Sequence, residues 1–253
     1  MKKILTLFIV MLLMGLDASF LFPEVNGSRI LLSEDLNFDG SKEEIEISFS
    51  GEDEYDLHEY IIKVDDLVYK GKFEYEGVAS AEIIDIDRSD KQKEILVRLD
   101  GQTDDVIDYF FSLDGSIIKI GEVPGSSYSE MPGDGTVIMN EWMGFWSRDK
   151  KYRLEKSVLV PIREEYKIDV NSRLAETMVL HSSPSNGSGI SAELKPDTEI
   201  KLTAVKIFGD ECTTADGYKH ECEWYMVESA DGMRGWVEYG ELIKSTMDLP
   251  WAG

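Results

Sequence analysis

Residues 35–47 read DLNFDGSKEEIEI: alternate oxygen-bearing side chains, then a glycine, then strictly alternating apolar positions. This join of an acidic turn to a period-two strand constrains the fold more than any other stretch. Asp35, Asn37 and Asp39 stand two residues apart, and Gly40 permits the positive φ that would curl them inward. Ile45, Ile47 and Phe49 then share one face of a strand. The stretch DIDRSDKQKEILV, residues 85–97, repeats the plan, with Asp85, Asp87 and Ser89 in matching places and Glu94-Ile95 matching Glu44-Ile45. A repeat at such a period implies one supersecondary unit used at least twice.

Period two continues along the chain. It predicts strands over 60–64, 81–86, 94–99, 106–112, 116–120, 136–142 and 151–154. The pairs Asp100-Gly101, Asp114-Gly115 and Asp134-Gly135 supply hairpin turn chemistry between them. No amphipathic helix is legible in this half, so the expected fold class is all-β.

The element D-x-N-x-D-G followed by an acidic strand resembles the FG-GAP/VCBS type of repeat of integrin-like β-propellers. The first copy covers residues 29–73. The second, 79–122, departs by carrying Ser89 for the third acid and Asp90 for the glycine. The resemblance implies blade-like antiparallel sheets, as an incomplete or small propeller or an open stack, with calcium in the loop between a blade's first two strands. The expected ligands are Asp35, Asn37 and Asp39 with Glu43, Glu44 or Glu46. EF-hand spacing also fits, with Asp35 first, Gly40 sixth and Glu46 twelfth. Lys42 at the usually aliphatic eighth position and strand-like flanks oppose a true EF-hand. The alternative is an acidic turn held by Asx-type bonds to its own backbone.

From Met178 the chain resembles a bacterial SH3-type domain over residues 176–243. The residues that carry the likeness are Pro184, Leu194-Lys195-Pro196-Asp197-Thr198, Trp224-Tyr225-x-Val227, the turn Asp231-Gly232, and Gly235-Trp236-Val237. Asp197 departs, because these domains usually carry glycine there, and so does the hairpin containing the cysteines. The resemblance implies an SH3-like barrel and binding to cell-wall peptidoglycan. Tyr225 and Tyr239 are the expected ligand-binding aromatics and Trp236 an expected core residue. Residues 162–175 read as a connector, which gives a signal segment at 1–19, an acidic β-sheet domain at 20–172 and an SH3-type domain at 173–253.

The compartment is read from both ends of the chain. Lys2 and Lys3, an apolar run from Ile4 to Met14 and the exit Gly15 to Ser19 have the pattern of a secretory signal peptide. An uncleaved N-terminal anchor is the alternative. The only two cysteines, Cys212 and Cys222, are expected to form a disulfide, directly opposite each other across a hairpin turning at Asp216-Gly217-Tyr218.

With 26 Lys+Arg against 50 Asp+Glu, the net charge of -24 repels nucleic acid and anionic membrane surfaces. None of the three histidines, His58, His181 and His220, pairs in sequence with a plausible nucleophile, and no zinc-peptidase, phosphate-loop or G-x-S-x-G motif occurs. Carboxylates are numerous enough to leave a glycosidase-like pair open. Trp142, Phe145, Trp146 and Tyr152 form either a binding face or, the commoner outcome for large aromatics, part of a core. The expectation is a secreted, non-catalytic binding protein. Its partner is cell-wall peptidoglycan or an envelope protein, with no nucleic acid and no membrane once the signal is removed. A protein-interaction or structural role is the alternative.

Overall fold

Alternating apolar residues bury one face of each strand, and the fold is what results from pairing those faces. The computed structural model describes residues 29–51, 57–73, 77–101, 105–213 and 219–251. The expected signal peptide and the expected turn at 216–218 lie outside them. Among the described residues no helix is long and apolar enough to cross a membrane.

The protein is all-β, as expected. Strands β1 (Arg29–Glu34), β2 (Glu43–Gly51), β3 (Leu57–Val64) and β4 (Leu67–Lys72) form one antiparallel meander. Strands β5 (Gly77–Ile84), β6 (Glu94–Gly101), β7 (Val106–Leu113) and β8 (Ile117–Gly125) form a second, in the same order. In each, the acidic loop joins the first two strands. A three-stranded sheet follows, from β9 (Thr136–Trp142), β10 (Ser147–Glu155) and β11 (Val158–Pro161).

The last sheet has seven strands in the order β14-β13-β17-β16-β15-β12-β18. They are β12 (Glu165–Leu174), β13 (Met178–His181), β14 (Ile190–Leu194), β15 (Glu199–Thr213), β16 (Lys219–Ser229), β17 (Arg234–Glu238) and β18 (Thr246–Met247). One short helix, α1 (Tyr239–Ser245), precedes β18. None of the four sheets closes on itself, so the expected barrel is an open sheet in its hydrogen bonding, with β14 and β18 at its edges.

Contacts divide the chain into two compact units near residue 120, ahead of the boundary expected at 172. The first runs to Asp85 and includes Lys91–Lys119; the second holds Ile86–Asp90 and the chain from Ile120 onward. The expected connector is strand β12, which pairs with β15 from Glu165↔Lys206 to Arg173↔Glu199.

In the first unit the apolar faces of both meanders share one core. Ile45, Ile47 and Phe49 meet Ala79, Val97 and Phe111 there. Tyr60 sits at its centre, 4.8 Å from Phe73, 5.8 Å from Tyr109 and 5.9 Å from Phe111 between ring centroids. Burying each such large side chain contributes about 1.5–3 kcal/mol.

The core of the second unit joins Phe145 and Trp146, from the β9–β10 turn, to Leu180, Leu202, Val227 and Val237. Two backbone features fix that sheet locally. Asp197 has φ 65°, in the left-handed region that glycine occupies most easily and aspartate tolerates, and its N–H donates to the Leu174 carbonyl. A Cβ at Gly235 would lie 2.8 Å from the His181 carbonyl oxygen, so only glycine lets β17 approach β13 this closely.

Candidate functional site

The first acidic loop is folded by its own side chains. Asp35 accepts from the N–H groups of Asp39 and Gly40, at 3.2 and 3.0 Å through its two oxygens. Asn37 Oδ1 also accepts from Asp39 N–H, at 2.9 Å, and Asp39 Oδ1 accepts from Ser41 N–H at 2.8 Å. Gly40 takes φ 92°, as the turn requires. This is the Asx-bonded turn, and its hydrogen bonds hold the Asp39 carboxyl below the usual aspartate range.

The expected glutamate ligands are engaged elsewhere. Buried Glu43 accepts from Leu36 N–H at 2.8 Å, which anchors Leu36 in the core. Glu44 accepts from the Ser33 hydroxyl, and Glu46 pairs with Arg29 and Lys63 on the strand surface. Among the described residues no three His, Cys, Asp or Glu side chains are grouped as a metal site. An acidic cleft of about 480 Å3 does adjoin the loop, lined by Asn37, Glu43, Asp65, Asp66 and Asp114.

The second loop also carries an Asx-type turn. Asp87 Oδ1 accepts from both the N–H and the hydroxyl of Ser89. A comparable turn at Asp134, whose Oδ1 accepts from Thr136 N–H and hydroxyl, lies one bridge away through Asp87↔Asp134.

In the C-terminal sheet, alternation along β16 puts Tyr225 and Val227 in the core and Trp224 and Met226 on the other face. Tyr225 is fully buried, so the groove role expected for it does not hold. Its hydroxyl donates to buried Glu223 and accepts from Trp146 Nε1, and burial pushes its pKa far above the usual tyrosine value. Tyr239, at the start of α1, stays half-buried with its ring 6.3 Å from that of Tyr225. Trp236 is buried, as expected, but with Trp224 and Ala204 rather than in the main core, and Lys206 Nζ lies 5.2 Å from its ring centre.

Of the aromatics at 142–152, Phe145, Trp146 and Tyr152 are buried and only Trp142 is exposed. His181 stacks edge-on to Trp224 at 5.6 Å, and its buried Nδ1 has no hydrogen-bond partner.

Two polar features were not read from the sequence. Arg148 of β10, almost wholly buried, donates through Nε to Glu141 and through Nη2 to Glu221, both at 2.6 Å. Tyr152 and Tyr166 share this region, and burial there raises the pKa of each phenol. The second feature is an open cleft of about 810 Å3 across β12, β15 and the end of β16. Its charged lining residues are Arg173, Lys201, Glu199, Glu228 and Asp248. Arg173 pairs with Glu199 at 3.1 Å, and Lys201 pairs with Asp169 at 2.9 Å. These exposed pairs are weak enough to exchange for a ligand's charges. Alternating surface charges carry no sequence signal that separates a cleft from an ordinary solvated face.

The disulfide between Cys212 and Cys222 is formed, with Cα atoms 4.9 Å apart. Its placement differs from the expectation. A register shift between Phe208 and Glu211 sets Cys212 opposite His220, so the bond runs diagonally across the hairpin.

No family model, no curated protein and no solved structure matches the chain.

Proposed function

We propose that this is an exported, non-catalytic binding protein whose C-terminal sheet recognises cell-wall peptidoglycan. The observation that carries the reading is the local geometry of the SH3-type residues. Asp197 takes the glycine-like backbone, Gly235 allows the tight approach of β17 to β13, and Trp236 is packed behind it. The mixed-charge cleft lined by Arg173, Lys201, Glu228 and Asp248 supplies a receiving surface. It offers cations to carboxylates and carboxylates to amines, as a ligand carrying both groups requires.

Calcium at the first loop belongs to the same reading. Asp35, Asn37 and Asp39 already hold their oxygens in one turn, and the acidic cleft beside them includes Asn37 and Glu43.

Sedimentation of the full chain with purified, protein-free cell walls tests the proposal. Co-sedimentation that is weakened by Arg173→Glu with Lys201→Glu supports it. Binding only to walls that retain their proteins would favour the protein-interaction alternative.

A further inference from the structure

We propose that the Cys212–Cys222 disulfide is a redox latch that holds Glu221 on Arg148 and so ties the three-stranded sheet to the C-terminal sheet. Among the described residues beyond the register shift at Phe208 and Glu211, the β15–β16 hairpin is held by the pairs Glu211↔Glu221, Cys212↔His220 and Thr213↔Lys219. So short a two-stranded ribbon is marginal without a tether, and the disulfide is the covalent tether present. Glu221 precedes Cys222 directly, and its carboxylate accepts from Arg148 Nη2 at 2.6 Å.

The Arg148 side chain is 3% exposed, against 24% for Glu141 and 39% for Glu221, so the cation is the deeply buried member of the trio. A guanidinium so placed depends on its carboxylates, and removing one leaves a buried charge undercompensated. The bond therefore acts in sequence: it fixes the hairpin end, the hairpin end presents Glu221, and Glu221 completes the shell of Arg148 on β10. Cys212 and Cys222 are both partly exposed, so a reductant can reach them. The parallel link through Trp146, Tyr225 and Glu223 does not involve the cysteines and would survive. Reduction thus loosens the junction without unfolding it.

The chemistry needs a thiol donor. One thiolate of a dithiol attacks a disulfide sulfur and breaks the S–S bond, and its second thiolate releases the protein sulfur. Two electrons and two protons pass to the cysteines, and the dithiol leaves as its own disulfide.

Hydrogen exchange of the full chain, with and without dithiothreitol, tests this independently of any ligand, with thiol alkylation used to verify reduction. Reduction should speed exchange in β10 by about tenfold, the scale expected for losing one hydrogen bond to a buried charge. Glu221→Gln with the disulfide intact should reproduce the β10 effect, and reduction of that variant should add nothing further in β10. If reduction quickens exchange only within 209–222, or acts on β10 equally in Glu221→Gln and wild type, the bond is a local staple and the latch is wrong. Because the first arm uses the native chain, a Cys212→Ser variant that failed to fold would not obscure the result.

Discussion

Trp146 Nε1 donates a hydrogen bond to Tyr225 Oη at 3.1 Å, linking the β9–β10 turn to β16 inside the core of the second unit. The phenol passes the interaction on to buried Glu223. Tyr225→Phe keeps the ring contacts but removes both the acceptor for the indole and a donor to the carboxylate. A loss of about 1–3 kcal/mol is expected, measured by chemical denaturation. A neutral result would mean that this chain of bonds does not join the two sheets energetically.

Arg98 and Asp108 face each other across β6 and β7, paired through Nε at 2.6 Å and Nη2 at 3.0 Å, and both are buried. Removing one partner of such a pair costs about 3–5 kcal/mol, so Asp108→Ala should be severely destabilising. The Lys72–Glu59 pair, with side chains 80% and 52% exposed, is the control. Glu59→Gln should shift stability by less than about 1 kcal/mol. Denaturation midpoints of the two variants decide between them.

The β pattern was legible because alternation survives wherever one face is solvated: β9 was read to the residue, and β2, β6 and β7 nearly so. Strand β12 was missed because its half-buried residues, from Tyr166 to Val170, alternate among charges and read as a linker. Tyr225 was misplaced for a related reason. Both faces of β16 carry large apolar residues, so period two separates Trp224 from Tyr225 without saying which faces the main core. The Asx loop could be read because its hydrogen bonds run between near neighbours. Arg148–Glu221 could not, because its partners are brought together only by packing between two sheets.

Acid should act through two opposed groups of carboxylates. Asp39, Asp87 and Asp134 have pKa values lowered, chiefly by hydrogen bonds from Ser41 N–H, Ser89 Oγ–H and Thr136 Oγ–H respectively. The Lys93 hydrogen bond lowers that of Glu34. Their contribution is present above the unfolded pKa values and is lost as pH falls through the lower folded ones. Glu82 is raised by burial, against the pull of Arg98. Its ionised form disfavours the fold at neutral pH, and that cost vanishes as pH falls through its raised folded pKa. Glu82→Gln should therefore stabilise the protein at pH 7, with the gain shrinking in acid. Thermal melts of both chains across pH would contradict this if the difference were constant.

The calcium proposed for the first loop should raise the melting temperature only at millimolar concentration, since weak extracellular-type calcium sites have dissociation constants of about 10⁻⁴ to 10⁻³ M. At ten times the dissociation constant, linkage adds about 1.4 kcal/mol. Asp39→Ala should abolish the shift. Melting temperatures that millimolar calcium leaves unmoved in both wild type and variant would leave the loop as a turn alone.

The dissociation constant for protein-free cell walls, measured for the full chain at rising salt, tests the functional reading most directly. Acidic residues outnumber basic ones in both halves of the chain, so phosphate-bearing wall polymers repel it. Attraction must then come from short-range contacts in the cleft, where a ligand's charges replace the Arg173–Glu199 and Lys201–Asp169 pairs, so that the ion pairs lost and gained are screened alike. The account predicts measurable binding that is unchanged or slightly tighter as salt screens the repulsion. No binding at any salt, or binding that collapses as salt rises, would contradict it.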